Sequence, residues 1–452
     1  ENAYRLFNIS QELEKIARKS EEEVKDIFKQ IEETALYNQA RVLKAFQNVP
    51  VTQVHFQKTT GYGHGDIGRE AIEKLYAELF ETEDALVRVQ FVSGTHTLAT
   101  ALKGVLKYGD EMVAISGRPY DTLCTVIGLE ENEKSLISSG IKYSQIDLDE
   151  NDNFKCEEIK EYLKNNKVKL VHIQRSRGYA VRKALLISDI ENVIKEIRTV
   201  DKDVIIFVDN CYGEFTEEKE PTAVGADICC GSLIKNAGGG LCEMGGYVCG
   251  REDLIEQVVQ ELYCPGLGKE NGATLGQNQN IIQGLFMAPT VVASALKAMT
   301  FAARLLENLG LDVFPKSTDK RSDIVQIINF RDKEKLIKFI QGIQFASPID
   351  SNVVPMPWAM PGYVSILLWK TGMFNTQFGL LNQWMEALGQ ETVRWLSNDV
   401  SAFICCTVVN LWLALPFMIM IMDGAMQSID RSYYESALLD GANWLQRTKA
   451  IT

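Results

Sequence analysis

The sequence predicts an α/β protein with a mostly parallel sheet flanked by helices, followed by an all-α membrane segment. Two observations lead to this prediction. From about residue 68, short apolar runs alternate with helical runs, which is the pattern of a parallel sheet covered on both faces. Near Tyr363 the composition changes: five of the six tryptophans lie beyond this residue, and residues 364–452 contain only 12 charged side chains. The chain therefore reads as two unlike parts that meet near Tyr363.

The first element is helical, and we expect an N-terminal helical segment over residues 1–55. Between residues 10 and 48, apolar side chains recur at steps of three and four, and charged side chains fill the other face. This periodicity predicts a helix that packs against the rest of the protein and has no catalytic role.

The next elements form the expected large domain, over residues 56–300. Ligands of such sheets bind at the carboxyl ends of the strands, so candidate site residues are sought there. A smaller, truncated C-terminal domain is expected over residues 301–363. Helices are predicted at residues 68–81, 96–107, 156–164 and 188–198. Strands are predicted at residues 112–116, 169–174, 204–209, 227–230 and 246–249.

Composition and charge exclude several other classes of protein. The net charge of −13 argues against nucleic acid or an anionic membrane surface as the main partner. The four histidines include no HxH or HxxxH pair, and the ten cysteines include no CxxC pair, so we expect no metal site. Scattered thiols of this kind suit a reducing cytosol.

Two predicted strands lead into residues that suit a cofactor site. Asp209 ends one strand, and Lys235 lies in the small-residue loop GSLIKNAGGG (231–240) that follows another. An acid at this edge of a sheet can face a ring nitrogen, and a lysine can bond to an aldehyde. Each residue alone has an ordinary explanation, because a strand-ending Asp is often a turn residue and a loop Lys is usually a surface residue.

A helix start offers a place for a phosphate group. Ser93, Gly94 and Thr95 stand at the beginning of the predicted helix at 96–107, where backbone N–H groups favour a phosphate. Ser232, three residues before the loop lysine, would add a hydroxyl group. A plain helix cap explains the same three residues equally well.

An aromatic residue completes the set. Tyr120 lies in the turn GRPYDT (117–122), where it would stack on a flat ring, although such a tyrosine is usually a packing residue. Pyridoxal phosphate requires a lysine for a Schiff base, an acid against its pyridine nitrogen, a phosphate cradle and a stacking surface. The ordered set of residues therefore predicts a pyridoxal phosphate site, in which Asp209 keeps the pyridine nitrogen protonated.

These positions and their neighbours resemble the methionine gamma-lyase-like family of fold-type-I pyridoxal phosphate enzymes, often called aluminium resistance proteins. The resemblance covers essentially all of residues 1–363. It rests on the stretches ALYNQARVLKAFQ (35–47), TTGYGHGDIGRE (59–70), VSGTHT (92–97), GRPYDTL (117–123), IQRSRGY (173–179), FVDNCYGEF (207–215), EPTAVGAD (220–227), GSLIKNAGGGL (231–241), PGLGKENGATLG (265–276) and QGIQFASPIDSNVVPMPWAMPGY (341–363).

The resemblance implies a role for each site residue. Lys235 is implied as the Schiff-base lysine and Asp209 as the partner of the pyridine nitrogen. Gly94 and Thr95 are implied on the phosphate, and Tyr120 over the ring. It also implies a homo-oligomer, a dimer or tetramer, in which each site is completed by a neighbouring subunit.

Three further residues are candidates for binding groups at this site. Tyr62, in GYGHGD, would reach across the subunit interface, although an ordinary loop tyrosine also explains it. Arg175 and Arg177 would meet an anionic group of the substrate or cofactor, or form structural ion pairs instead. The family normally continues into a stretch that contains the arginine for the substrate carboxylate, and this chain departs from the family after Tyr363.

Residues 364–452 resemble a permease subunit of a bacterial sugar ABC transporter. The stretches GMFNTQFGLLNQW (372–384) and SYYESALLDGANWLQRTKAIT (432–452) carry the resemblance, and the second is close to the motif that contacts the ATPase subunit. The uncharged run at 400–422 would reach, at about 1.5 Å per residue, beyond the roughly 30 Å of a bilayer's hydrocarbon core. One membrane span is therefore expected, with a buried core helix as the alternative.

Three functions follow from these patterns. The first is a cytoplasmic, pyridoxal phosphate-dependent lyase that performs β- or γ-elimination on a small sulfur-containing amino acid. The second is a component of a carbohydrate ABC transporter in the cell membrane, and the third is a pyridoxal phosphate aminotransferase. Because one span cannot form a pore, and no physical reason links it to a truncated enzyme, we interpret the chain as a join of two unlike proteins.

Overall fold

The computed structural model describes residues 3–130, 132–355, 374, 380–395, 401–405 and 407. The chain divides into two compact units, Glu1–Arg331 and Asp332–Thr452. The first unit contains every residue that the sequence assigns to the candidate site. The domain boundaries expected at residues 55, 300 and 363 stay predictions.

A seven-stranded sheet forms the centre of the first unit, in the strand order β1-β7-β6-β5-β4-β2-β3. Strands β2 to β6 are joined by parallel pairings, whereas β7 runs antiparallel to both of its neighbours. The predicted α/β class with a mostly parallel sheet is thus confirmed. The strands are β1 (Asp84–Arg88), β2 (Glu111–Ala114), β3 (Lys142–Gln145), β4 (Leu170–Gln174), β5 (Ile205–Asp209), β6 (Ile228–Ser232) and β7 (Gly246–Gly250).

Helices cover both faces of this sheet. The long helix predicted at residues 10–48 is two helices, because the chain breaks at the buried Val24. The helices of the first unit are α1 (Ala3–Leu6), α2 (Gln11–Glu23), α3 (Lys25–Asn48), α4 (Ile67–Phe80), α5 (Gly94–Val105), α6 (Asp121–Ile127), α7 (Cys156–Asn165), α8 (Ile187–Arg198), α9 (Glu252–Leu262) and α10 (Asn278–Asn308). A two-stranded ribbon, β8 (Asp312–Phe314) with β9 (Ile327–Asn329), follows α10.

The hydrophobic core lies on both faces of the sheet, and the central strands of the sheet are therefore buried along their whole length. Alternate residues of β5 point to opposite faces: Ile205 and Phe207 pack with α5 and α9, while Ile206 and Val208 pack with α7 and α8. Burial on both faces explains why this strand is an uninterrupted apolar run in the sequence. It also leaves the carboxyl ends of the strands as the place where polar residues can gather.

Helix α10 is the one described helix that is long and apolar enough to cross a membrane. By length and composition alone it is a candidate span, but its buried face belongs to the core of the first unit. Ile281, Leu285 and Val292 pack there with side chains of α3 and α4. The span predicted from the sequence at 400–422 is a different segment. Apart from the helical residues 401–405 and residue 407, that segment lies outside the described residues.

The second unit contains α11 (Lys333–Ala346) and α12 (Leu380–Ala387). Asn382 of α12 is buried, and its side-chain oxygen accepts hydrogen bonds from Val393 N–H (3.0 Å) and Trp395 Nε1 (2.9 Å). The side chain of this one residue thus ties α12 to the segment that follows it.

Candidate active site

The candidate site lies at the carboxyl edge of the sheet. In the sheet register Gln174, the last residue of β4, stands beside Asp209, the last residue of β5, and Asp209 stands beside Cys230 of β6. Parallel strands that end together bring their following loops together. The loops after β4, β5 and β6 therefore share one edge of the sheet.

The start of α5 forms a small cradle at this edge. Ser93 caps the helix, and its hydroxyl oxygen accepts a hydrogen bond from His96 N–H at 3.2 Å. A Cβ atom added at Gly94 would lie 3.2 Å from Cβ of Ser232 and 3.7 Å from Nζ of Lys235. Gly94 therefore keeps open the space between the helix start and these two side chains. The predicted phosphate-binding residues and the predicted lysine do come together.

Lys235 follows β6 and begins a short turn, Asn236–Gly238. Its ammonium group lies over the ring of Tyr212, 4.2 Å from the ring centre. Burial lowers the pKa of Lys235, but acidic neighbours, among them the carboxylate of Asp209, outweigh burial and raise it above its ordinary value. This amine is thus held protonated in the structure, between an aromatic face and a buried carboxylate.

Asp209 is almost fully buried, and its carboxylate accepts a hydrogen bond from Cys211 N–H at 3.1 Å. Burial raises the pKa of Asp209 above its ordinary value, although the positive charge of Lys235 opposes this effect. A further cationic partner would stabilise the charged form of a buried carboxyl group of this kind. A protonated ring nitrogen is a partner of the required charge.

Tyr120 directly precedes α6, beside the same cradle. Its hydroxyl donates to Oγ1 of Thr95 at 3.0 Å, and its backbone N–H donates to Oε1 of Gln174 at 2.9 Å. Burial, and then the charge of Asp209, raise the pKa of Tyr120, so the phenol stays protonated at neutral pH. The ring is thus fixed between α5 and the end of β4.

The two predicted arginines differ in their contacts. Arg175 is fully buried and uses its whole guanidinium group, since it donates to Ser322, to Asn210 and to Glu217 at 2.8–3.1 Å. This is the structural ion pair that the sequence left open. Arg177 donates from Nε to Asp323 at 3.2 Å, but its Nη1 is buried without a partner in the described part of the chain.

Tyr62 has a different position from the other predicted residues. Its side chain is 76% exposed, and its ring stacks on His64 with the ring centres 5.8 Å apart. Its backbone carbonyl accepts a hydrogen bond from Gly272 N–H at 2.9 Å, which fixes the loop. Within the described residues, no contact joins Tyr62 to Lys235.

Sequence reasoning missed four residues at this edge: Cys211, Tyr212, Gln174 and Glu214. Three of them lie in the stretch FVDNCYGEF that was quoted for the resemblance, so the motif itself marked the region. Glu214 accepts a hydrogen bond from the hydroxyl of Tyr247 at 2.8 Å, and burial raises its pKa to about 8. Tyr212 has φ +68°, a left-handed conformation that directs its ring to Lys235 and has no sequence signature.

The residues present fit pyridoxal phosphate. The cradle at Gly94 has the N–H groups and hydroxyl groups that a phosphate requires, and Lys235 borders it. Asp209 and Tyr120 lie within the same cluster, close enough for the charge of Asp209 to raise the pKa of Tyr120. An amine, a buried acid, a flat ring and a phosphate cradle are therefore grouped at one edge.

Comparison with known proteins gives a consistent result for most of the chain. A family model described as methionine gamma-lyase matches residues 13–378. The protein YnbB of Bacillus subtilis (strain 168) is 45% identical over 364 residues, which cover 80% of this chain and 86% of YnbB. A solved structure from Clostridium novyi NT, described as a carbon-sulfur lyase involved in aluminium resistance, is 46% identical with a TM-score of 0.77. The match covers 79% of this chain and 85% of that one.

A second, shorter similarity concerns transport proteins. The trehalose/maltose transport system permease protein MalF of Thermococcus litoralis is 37% identical over 100 residues. This match covers 22% of the chain and 34% of that permease. The chain thus spans about a third of the transporter subunit that it resembles.

Proposed function

The chain belongs to the methionine gamma-lyase family, and from this premise we propose that residues 1–363 form a pyridoxal phosphate-dependent enzyme that cleaves a carbon–sulfur bond of an amino acid. The observation that carries the proposal is the cradle at Gly94, because it brings a helix start suited to a phosphate within reach of the half-buried Lys235. When bound, pyridoxal phosphate would supply an electron sink that stabilises negative charge at Cα of the substrate.

Lys235 is the proposed base at Cα. In the structure the charge of Asp209 helps to raise its pKa although burial opposes it, so Nζ holds a proton. Pairing of Asp209 with a cationic ring nitrogen would remove this influence and make the neutral amine accessible. A neutral amine at this position would accept the proton from Cα.

Tyr120 is the proposed stacking residue and proton donor. Its phenol stays protonated because burial and Asp209 raise its pKa, and Thr95 holds its oxygen in place. A protonated hydroxyl group in the site would supply a proton to the sulfur atom that leaves. Asp209, Ser93, Gly94, Thr95 and Ser232 would hold the cofactor in the roles expected from the sequence.

The test of this proposal is the fate of added cofactor on the purified full chain. We expect borohydride to fix pyridoxal phosphate on Lys235, detected by peptide mass spectrometry, and Lys235→Ala to abolish the label. Lys134→Ala, at an exposed position, is the matched control and should be labelled like the wild type. Labelling that persists in Lys235→Ala would contradict the assignment.

Product analysis then separates lyase from aminotransferase. A lyase releases a 2-oxo acid, ammonia and a thiol from L-cystathionine or L-methionine without a second substrate. An aminotransferase releases no ammonia and requires an oxo-acid acceptor. Formation of product only when an acceptor is added would contradict the lyase proposal.

A second proposal concerns the tail, whose stretches at 372–384 and 432–452 resemble a permease; the partial similarity of the chain to MalF supports a different origin for this part. We infer that residues 364–452 derive from a sugar ABC transporter permease and that the chain joins two unlike proteins. The test is a tryptic digest of the source cells, searched for the peptide of residues 339–370, which spans the junction. Absence of this peptide, with its enzyme-side residues found joined to another continuation, would support a misjoined chain. Its detection would instead establish a real fusion, tethered to the membrane.

A further inference from the structure

Asn236, the residue directly after Lys235, links two loops at the carboxyl edge of the sheet. It is 5% exposed and begins the short turn Asn236–Gly238 that follows β6. Its side-chain Nδ2 donates to the carbonyl oxygen of Tyr212 at 3.0 Å and to that of Glu214 at 3.1 Å. Both acceptors lie in the loop after β5. One side chain therefore joins the loop that contains Tyr212 to the turn beside Lys235.

Other contacts fix the rest of the loop after β5. Gly213 N–H donates to the carbonyl oxygen of Asn210 at 2.9 Å, and Phe215 N–H donates to Oε1 of Glu220 at 2.9 Å. A Cβ atom added at Gly213 would lie 2.6 Å from Cδ of a buried arginine, Arg175, so the backbone packs closely there. These contacts hold residues 213 and 215, and the bond from Asn236 holds the carbonyl group of residue 212.

Tyr212 has a strained backbone that places its ring against the amine of Lys235. Its φ is +68°, in the left-handed region that residues other than glycine seldom adopt. Such a conformation persists where the surroundings hold it, and Asn236 is one of the residues that do so here. The ring centre lies 4.2 Å from Nζ of Lys235, and a Cβ atom added at Gly94 would lie 3.7 Å from the same nitrogen. The amine is thus in contact with the ring and borders the cradle.

An aromatic face at this distance favours the charged form of the amine. The ring attracts a cation electrostatically, whereas a neutral amine gains little from the same contact. Asp209, Cys211 and Glu214, at the end of β5 or in the loop after it, are further titratable groups that act on the charge of Lys235. The ring of Tyr212 therefore adds to the effect of these neighbours, through a contact that can be removed without altering them.

We propose that the ring of Tyr212 stabilises the ammonium form of Lys235 and that Asn236 is a positioning residue that holds this ring in place. The inference rests on the function proposed above, in which the amine of Lys235 accepts a proton from Cα. That transfer makes Nζ positive, and the aromatic face attracts the new charge. Asn236 acts through Tyr212, because its side-chain N–H groups bind backbone carbonyl oxygens and not the amine.

The experiment measures the proton on Nζ in the full chain with pyridoxal phosphate bound. The visible absorbance of the bound cofactor changes when the nitrogen that joins it to Lys235 loses its proton, so the midpoint pH of this change is the readout. We expect Tyr212→Leu to lower the midpoint by about one pH unit, a tenfold change in the ratio of protonated to neutral nitrogen. Tyr212→Phe keeps the aromatic face and should leave the midpoint unchanged. Asn151→Ala, at an exposed position, is the matched control for Asn236→Ala.

A double variant tests whether Asn236 acts through the ring. Asn236→Ala should also lower the midpoint, because the ring is no longer held against the amine. Added to Tyr212→Leu, it should lower the midpoint no further, since the ring on which it acts is already absent. If circular dichroism shows that Asn236→Ala does not fold, Asn236→Ser, which keeps one donor, takes its place in the same comparison.

A second readout does not depend on the cofactor. In the cofactor-free chain, the rate at which acetic anhydride acetylates Lys235 at pH 8 reports the neutral fraction of the amine, and peptide mass spectrometry measures it. We expect this rate to rise about tenfold in Tyr212→Leu and to stay at the wild-type value in Tyr212→Phe. Failure of the wild type to bind the cofactor at Lys235 would refute the proposed function, and the acetylation rates would still decide this inference.

Three outcomes would overturn the inference. An unchanged midpoint and an unchanged acetylation rate in Tyr212→Leu would mean that the ring does not act on the amine. Equal effects of Tyr212→Phe and Tyr212→Leu would assign the effect to the hydroxyl group instead of the aromatic face. A midpoint unchanged by Asn236→Ala, or a shift that adds fully to that of Tyr212→Leu, would show that Asn236 does not act through Tyr212.

Discussion

At the scale of single residues, His172 is a buried imidazole in the middle of β4. Its ring stacks on Phe207 with the ring centres 5.7 Å apart, and neither ring nitrogen has a partner in the described part of the chain. Burial lowers the pKa of His172 to about 4, from an ordinary value of 6.5. The folded protein must therefore keep this ring neutral.

This burial predicts sensitivity to acid. The unfolded chain binds a proton at His172 near pH 6.5, and the folded protein binds it only near pH 4. The stability due to neutral His172 is thus fully present above pH 6.5 and is lost as the pH falls towards 4. The loss amounts to on the order of 3 kcal/mol. In His172→Leu we expect the free energy of unfolding to change less between these pH values than in the wild type.

The measurement is urea denaturation at several pH values between about 4 and 7. Comparing each variant with the wild type removes the contribution of the buried carboxyl groups, which both proteins share. His64→Leu, at an exposed position, is the control and should follow the wild-type curve. If the free energy of unfolding of His172→Leu changed with pH in parallel with that of the wild type, the imidazole would not be the origin of the acid sensitivity.

Single residues also show what the sequence could and could not predict about the site. Lys235, Asp209 and Tyr120 stand out because each ends or follows a recognisable strand. The contact of Tyr212 with Lys235 depends on a positive φ value, which a sequence pattern does not reveal. Likewise, Arg175 and Arg177 are alike in the sequence. Only their partners, which lie 35 and 146 residues away along the chain, distinguish Arg175 from Arg177, which has one N–H group without an acceptor among the described residues.

At the scale of elements, the start of α5 determines how much space is open beside Lys235. Helix α5 begins at Gly94, where a side chain would project between Ser232 and Lys235. An added Cβ would lie 3.2 Å from Ser232, a tight contact that a small shift of the neighbouring atoms would relieve. We therefore expect the protein to fold with alanine at this position, although the methyl group would occupy space needed by a ligand.

Gly94→Ala should separate folding from cofactor binding. We expect the dissociation constant of pyridoxal phosphate to rise about tenfold or more, since a methyl group takes up the cradle. The free energy of unfolding of the cofactor-free protein should change by less than about 1 kcal/mol. Fluorescence titration and urea denaturation measure the two quantities. Gly342→Ala in α11, where a Cβ would meet nothing within 4 Å, is the control, and equal effects of the two substitutions would refute the prediction.

The strands show why periodicity identified some elements and missed others. The central strands β4, β5 and β6 are buried along their length, so they appear as apolar runs. Strand β3, with the sequence KYSQ, lies at one edge of the sheet and is only partly buried, so it has no apolar signal. Strand β1, at the other edge, has charged residues at both ends. The edge strands are thus the part of this sheet that apolar periodicity in a single sequence does not predict.

At the scale of the whole molecule, the exposed Tyr62 predicts a site that is shared between subunits. Its loop is held from inside, since Arg69 donates to the carbonyl oxygens of Gly63 and Gly272, while the Tyr62 side chain faces solvent. An exposed aromatic residue on a fixed loop is suited to an interface. In this role Tyr62 would lie at the subunit interface of the homo-oligomer that the sequence predicts.

The prediction is complementation between two inactive variants. Tyr62→Ala and Lys235→Ala should each lack lyase activity. Subunits mixed in equal amounts after denaturation and refolding should regain about a quarter of wild-type activity, because half of the dimers are mixed and one of their two sites is intact. Lys134→Ala mixed with Lys235→Ala serves as a control for dilution. Absence of any recovery would place Tyr62 in its own subunit's site or outside it.

The left-handed backbone at Tyr212 has a consequence for selection experiments. A bulky residue in this conformation is strained by about 1 kcal/mol, whereas glycine adopts it freely. In a directed-evolution screen, Tyr212→Gly would relieve this strain, but the loss of the half-buried aromatic side chain and the greater freedom of glycine in the unfolded chain would offset the gain in heat resistance. The substitution would also remove the aromatic face beneath the reactive amine, so heat tolerance and turnover should be scored together in any engineering of this scaffold.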